Sequence, residues 1–165
     1  MENKLELNKF LVEAKRNTYA GDRKSREIKL LDGGRELTFE NGIYKYRDRY
    51  YGFNSFSGQE VVWQNEIPIW SMNYYGQIIK ETYKTISGSV QRKITIDEIY
   101  DFLKKALRNV SVDSPYRGPS KFEFENLNYF RDFWGDLEMF RGKEFINNIN
   151  TKVYCLYFHG GLIQK

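Results

Sequence analysis

The feature that most restricts the fold of this chain is an internal repeat, because a repeated supersecondary unit dictates the architecture built from it. Phe10-Leu11-Val12-Glu13-Ala14-Lys15-Arg16-Asn17 returns as Phe102-Leu103-Lys104-Lys105-Ala106-Leu107-Arg108-Asn109. Phe39-Glu40-Asn41 returns as Phe124-Glu125-Asn126, with Tyr44 matching Tyr129, Arg47-Asp48 matching Arg131-Asp132 and Gly52 matching Gly135. Phe56-Ser57-Gly58-Gln59-Glu60 then returns as Phe140-Arg141-Gly142-Lys143-Glu144. Tyr74-Tyr75-Gly76 matches Phe158-His159-Gly160, and Ile79 matches Ile163. The order of matches is preserved, and a longer loop around residues 22–35 accounts for most of the drift in spacing. Residues 5–88 and 94–165 are read as two structural repeats of a single compact domain, since a half of this size has too marginal a core to stand alone.

Each repeat reads as one helix followed by strands. Leu7, Phe10, Leu11 and Ala14 recur at helical spacing, and Gly21 lies past their end as a stop. In the second repeat Thr95-Ile96-Asp97-Glu98 is a capping-box pattern, followed by the apolar stripe Ile99, Phe102, Leu103, Ala106 and Val110. Residues 36–46 and 121–130 read as aromatic-rich strands with turn sites at Asn41-Gly42 and Asn126. Residues 59–64 and 68–74 read as strands joined by Asn65-Glu66, and 143–147 and 152–158 as their counterparts. Pro68 belongs at a strand start or an edge. Residues 77–86 fit a helical face or a continuing strand, and 111–120 reads as a loop. The expectation is an α+β fold: a tandem duplication of an α-β4 unit, with an antiparallel sheet and a helix packed on each half.

Composition narrows the function classes. Aromatic residues make up 17% of the 165, which argues for a real core and against disorder. One cysteine and one histidine exclude an internal disulfide and Cys/His zinc sites. Twenty-six Lys and Arg against 22 Asp and Glu leave a net charge of only +4, too small an excess for a dedicated duplex-DNA binder. The basic knots at Lys15-Arg16, Arg23-Lys24-Ser25-Arg26, Lys104-Lys105 and Arg117 read as solvated helix faces and loops, with a shallow surface for an anionic partner as the alternative. No apolar run reaches the roughly 20 residues of a membrane span. A lone thiol and no export signal point to the cytoplasm.

The repeated Arg47, Asp48 and Glu60, mirrored by Arg131, Asp132 and Glu144, are the best candidates for chemistry. Two glutamates converging near a pseudo-twofold axis can share a proton or, with other oxygen ligands, hold a divalent cation. The plainer reading is architectural, with arginine–carboxylate pairs at strand–loop junctions and Gly58 and Gly142 supplying a turn or bulge. His159 has no counterpart in the first repeat and offers a general base, although a lone histidine on an aromatic-rich strand more often serves structure. Cys155 reads as a small core residue. Arg47, Tyr50, Trp70 and Tyr75 belong to an aromatic-rich region suited to stacking a planar ligand or single-stranded bases, or to filling the core. No phosphate-binding loop and no nucleophile elbow is present.

Gly58-Gln59-Glu60-Val61-Val62-Trp63, Pro68-Ile69-Trp70 and Met72-Asn73-Tyr74-Tyr75-Gly76, together with Phe10 to Lys15 and Tyr19-Ala20, resemble an uncharacterised bacterial domain family. The resemblance spans residues 5–163, and Met-Asn-Tyr-Tyr-Gly is its most specific part. Its members occur alone or follow an Xre-type helix-turn-helix in transcriptional regulators, so the resemblance implies an association with regulation. It brings no activity or catalytic residues, and this chain lacks the helix-turn-helix.

The leading expectation is a non-enzymatic ligand- or protein-binding regulatory domain with an aromatic-lined surface formed by Arg47, Tyr50, Trp70 and Tyr75. No cofactor or metal is called for, and the partner is an unidentified small ligand or protein. The alternatives are a hydrolase using Glu60, Glu144 and His159, and single-stranded nucleic-acid binding.

Overall fold

A computed structural model of the chain describes residues 2–21, 27–79, 83–87 and 90–163. Helix α1 (Glu2–Asn17) buries Leu7, Phe10, Leu11 and Ala14, the stripe that its spacing predicts. It closes on Ala20 and Gly21, whose backbone N–H groups donate to Lys15 and Thr18 carbonyls. A Cβ on Gly21 would lie 2.7 Å from the Arg16 carbonyl oxygen, so glycine is what permits this stop. Helix α2 (Ile96–Leu107) starts at Thr95, where both bonds of the capping box form. It buries Ile99, Phe102, Leu103, Ala106 and Leu107. Burying each large apolar side chain contributes roughly 1.5–3 kcal/mol.

The strands are β1 (Ile28–Lys29), β2 (Arg35–Asn41), β3 (Tyr44–Gly52), β4 (Ser55–Gln64), β5 (Ile67–Ile78), β6 (Tyr83–Ser87), β7 (Val90–Lys93), β8 (Lys121–Phe124), β9 (Leu127–Gly135), β10 (Met139–Asn148) and β11 (Thr151–Leu162). Nine of them form one antiparallel sheet in the order β1-β2-β3-β4-β5-β11-β10-β9-β8, and β6 and β7 pair separately. The sheet opens outward from the central β5–β11 pair, with α1 touching β2 and β3 and α2 touching β8 and β9. The ambiguous stretch 77–86 is extended where it is described: β5 runs to Ile78 and β6 begins at Tyr83, while residues 80–82 lie outside the described residues. Pro68 sits near the start of β5.

The turn expected at Asn65-Glu66 forms, and like those at Glu125 and Ile149 it takes positive φ at non-glycine residues. Asn65 and Glu66, with φ of 48° and 62°, join β4 to β5 without a glycine. Two consecutive left-handed residues give the twist that a tight hairpin needs.

Strand alternation sorts the side chains onto two faces. The even-numbered residues Tyr46, Asp48, Glu60, Val62, Trp70, Met72, Tyr74, Glu144, Ile146, Tyr154, Leu156 and Phe158 are all buried on the helix-covered face. One hydrophobic cluster there draws on both helices and both halves of the sheet. Tyr75, Tyr157 and Trp134 stand on the opposite face and are exposed. Among the described residues no helix is long and apolar enough to cross a membrane.

Candidate functional site

Beneath the helices the sheet carries charges that a core normally excludes. Lys15, Asp48, Glu60, Arg117 and Glu144 are all at most 5% exposed. Lys15 was expected in solvent. It sits one turn beyond Leu11, on the buried stripe of α1, and its ammonium donates to Glu60. The rings of Tyr19 and Trp70 lie 5.6 and 5.7 Å from that nitrogen. Burial pulls the Lys15 pKa below its usual value, and Glu60 opposes the shift.

Arg117 was likewise expected in solvent. The loop after α2 dips inward at 115–118 instead, and Arg117 forks onto both oxygens of Glu144 at 2.6 and 3.1 Å. Tyr129 and Tyr154 donate to the same carboxylate at 2.7 and 3.0 Å. Burial pushes the Glu144 pKa up, but Arg117 and the three sets of hydrogen bonds outweigh it and hold the carboxyl below its ordinary value. The other knots divide. Residues 23–26 lie outside the described residues, and Lys104 is a half-exposed residue of α2 paired with Asp101.

Asp48 is the third buried carboxyl. It faces Glu60 across the β3–β4 ladder, and the Tyr74 hydroxyl donates to it at 2.6 Å. Burial and then Glu60 raise its pKa to about 7, against the pull of Tyr74, Lys15 and Arg117. Tyr74 reaches Asp48 by lying over Gly58, where a Cβ would fall inside van der Waals contact of its hydroxyl. Gly142 is covered in the same way by Phe158. These glycines supply neither a turn nor a bulge. They sit within strands under a neighbour's ring, and the bulges fall at Val62/Trp63 and Ile146/Asn147.

The register also resets the repeat matches. Glu60 faces Asp48, whereas Glu144 faces Arg131, so Asp48 corresponds in position to Arg131 and Tyr46 to Tyr129. Asp132 lies on the open face and pairs with Lys143 at 3.1 Å. The two carboxylates Glu60 and Glu144 are three strand spacings apart, roughly 14 Å or more, and are not brought together. Their surroundings differ as well. Glu144 is bonded on both oxygens, while Glu60 Oε1, Tyr46 Oη and Trp70 Nε1 are buried with no hydrogen-bond partner among the described residues.

A cavity of about 630 Å³ opens between α2 and the β2–β4 end of the sheet. Tyr50, Phe53, Phe56, Tyr74 and Tyr100 line it, and Asp48 and Arg117 are the buried charged groups that reach it. At its edge Tyr50 donates to Glu27, which also pairs with Arg35 at 3.0 Å. The Tyr100 hydroxyl donates to the Phe53 carbonyl, fixing α2 to the β3–β4 turn. Burial raises the Tyr100 pKa to about 12, so its phenol is neutral.

The residues singled out from the sequence scatter around this site. Tyr50 lines the cavity. Trp70 is fully buried and stacks on Phe140, so its face is core. Arg47 lies on the open face, 5.0 Å over the Trp63 ring, and Tyr75 is on that face opposite Tyr157. His159 also projects from the open face, on the side away from Glu60 and Glu144. Cys155 shares that face and is half-buried rather than in the core. Among the described residues no group of three or more His, Cys, Asp or Glu is placed to hold a metal ion.

The site residues that sequence reasoning missed are Lys15 and Arg117 as buried groups and Tyr19, Phe53, Phe56 and Tyr100 as wall residues. Lys15 did leave a signal, a cation at stripe spacing; Arg117, alone in a loop, left none.

No curated protein and no solved structure matches the chain. A family model does match residues 48–163, from Asp48 of β3 through β11, leaving α1, β1, β2 and the start of β3 outside the matched span. On that match the chain belongs to the family described as a domain of unknown function, DUF5680.

Proposed function

We propose that this chain is a non-enzymatic binding domain whose ligand is a small molecule held in the cavity between α2 and strands β2–β4. The observation that carries this reading is the buried carboxyl of Asp48 at the base of an aromatic-walled cavity of about 630 Å³. Ligand sites are typically concave spaces of ~300–1,000 Å³ with mostly apolar walls and a few fixed polar groups. Tyr50, Phe53, Phe56, Tyr74 and Tyr100 supply the walls, and Asp48 with its Tyr74 hydrogen bond supplies a fixed polar point. Of the residues expected to form an aromatic surface, Tyr50 belongs to this cavity; Arg47 and Tyr75 belong to a separate face.

A regulatory role, with the cavity as its sensing element, rests on the resemblance to domains that accompany bacterial helix-turn-helix modules. The lone thiol of Cys155 supports a reducing, cytoplasmic setting. Descent from a duplicated α-β4 unit is supported by the sheet order about β5–β11 and by Gly52 and Gly135, both left-handed at φ of 88° and 96° at the ends of β3 and β9.

Thermal denaturation across a metabolite library tests the reading. A ligand at 100 times its Kd adds roughly 2.7 kcal/mol of stability, and the Phe53→Ala and Tyr100→Ala variants lose most of that gain. A flat response across the library, or a gain untouched by both variants, overturns it.

A further inference from the structure

Among the described residues the charges around this cavity do not cancel. Of the five charged groups buried under the helices, Lys15 pairs with Glu60 and Arg117 with Glu144. That leaves Asp48 as a carboxyl with no cation of its own, held by the neutral hydroxyl of Tyr74. The cavity wall repeats the pattern. Among its described residues Arg35 is bound to Glu27 and Lys104 lies 3.9 Å from Asp101, while Asp97 adds another carboxylate in the first turn of α2. Among the described residues every cation on the wall thus has a carboxylate partner, and Asp48 and Asp97 remain.

Excess carboxyl groups among aromatic faces select for one ligand chemistry. An anion meets Asp48 and Asp97 and is repelled. A hydrated metal ion needs several converging oxygen ligands, and among the described residues no three acidic groups are placed to supply them. An organic cation gains on both counts, since ring faces attract a cation and a carboxylate neutralises it. We propose that the cavity takes a small organic cation, a quaternary or protonated amine on an apolar body, with its charge seated against Asp48. This inference rests on the reading of the cavity as the ligand site.

Seating a cation there is coupled to a proton. Asp48 faces Glu60 from β4, Tyr74 from β5, Lys15 and Tyr19 from α1 and its end, and Arg117 from the loop after α2. With its pKa at about 7, the carboxyl holds a proton through the mildly acidic range. The bound cation displaces that proton, so the affinity of a permanently charged ligand falls about tenfold for each pH unit below 7.

The test uses three probes of similar body on the whole chain: benzyltrimethylammonium, benzyl alcohol and phenylacetate. Calorimetry gives affinity and, in buffers of different ionisation enthalpy, proton release; amide chemical shifts locate each probe. The expected result is that benzyltrimethylammonium shifts cavity amides and binds about tenfold or more tighter than benzyl alcohol. Its affinity weakens roughly 100-fold from pH 8 to pH 5, with a proton released at pH 6. Asp48→Asn removes both the pH dependence and the preference for the cation. If benzyl alcohol or phenylacetate occupies the cavity as tightly as the cation, the charge class falls while the cavity remains the ligand site. If the cation shifts amides elsewhere, shifts none, or binds without proton release, the proposal is overturned. The metabolite-library result judges the cavity reading separately, and the pH series on the unaltered chain holds even if Asp48→Asn folds poorly.

Discussion

The Tyr74 hydroxyl crosses the bare backbone of Gly58 to donate a 2.6 Å hydrogen bond to Asp48, two strands away. Three strands are thereby tied at the base of the cavity by one side chain, and only the missing Cβ of Gly58 makes the crossing possible. In the other half Phe158 crosses Gly142 without a hydroxyl, and the position facing Glu144 is Arg131 rather than an acid. The half of the sheet that borders the cavity is thus the one with the unmatched carboxyl.

Asp48 makes stability depend on pH in an unusual direction. Its folded pKa of about 7 lies above the unfolded carboxylate value, so between these values the native state binds more protons. Its contribution is full below pH ~4 and is lost as pH rises towards ~7. Asp48→Asn keeps an acceptor for Tyr74 and removes the charge. The variant is expected to be more stable than the parent at pH 8, on the order of 2–4 kcal/mol. Its stability should not decline over that range, as urea unfolding at pH 4.5, 6 and 8 would reveal.

Tyr74→Phe deletes the hydrogen bond that favours ionised Asp48. The Asp48 pKa should climb further above 7, read from the side-chain carboxyl carbon by NMR titration. The stability loss should be about 1–3 kcal/mol, as for a buried hydrogen bond left half-made. An unmoved pKa would mean that Tyr74 does not govern Asp48.

Glu144 behaves in the opposite sense. Its folded pKa lies below the ordinary value, so its stabilisation is present above the unfolded pKa and lost as pH falls through the folded one. Arg117→Met strands this carboxylate with only Tyr129 and Tyr154 as donors. Breaking a buried pair in this way costs about 3–5 kcal/mol. Arg117→Met combined with Glu144→Leu should cost less than the two single changes together, because no lone charge is left. Denaturant unfolding of the three variants measures the coupling.

How much of this was legible before the fold was known depends on what each residue leaves in the sequence. The helix α2 capping box and both apolar stripes were legible because local spacing encodes them. Most strands and the α-β4 order of the second half followed from repeated aromatic runs. The sequence pattern ends this strand at Tyr46, whereas β3 runs to Gly52, because alternating charges and tyrosines carry no clear boundary. The cavity as a whole was not legible, although Tyr50 on its wall was singled out. Its walls come from β2, β3, β4, β5, α2 and the connections that follow α1, β3 and α2, and pairing between distant segments has no local signature. The repeated glutamates were visible, yet their partners were not: Lys15 is 45 residues from Glu60, and Arg117 is 27 from Glu144. A basic residue reads as solvated until the fold supplies its carboxylate.

The two strand glycines give a paired test of whether the Tyr74 crossing matters beyond packing. Gly58→Ala and Gly142→Ala each push a methyl into an aromatic ring, Tyr74 in one and Phe158 in the other. Overpacking of this kind costs about 1–3 kcal/mol, so both variants should be destabilised to a similar degree. Their effects on Asp48 should differ. Gly58→Ala lifts the Tyr74 hydroxyl from the carboxyl and should raise the Asp48 pKa, while Gly142→Ala should leave it within a few tenths of the parent value. Benzyltrimethylammonium affinity at pH 8 should follow the same split, falling for Gly58→Ala and holding for Gly142→Ala. Equal effects on titration and binding would reduce the crossing to packing alone.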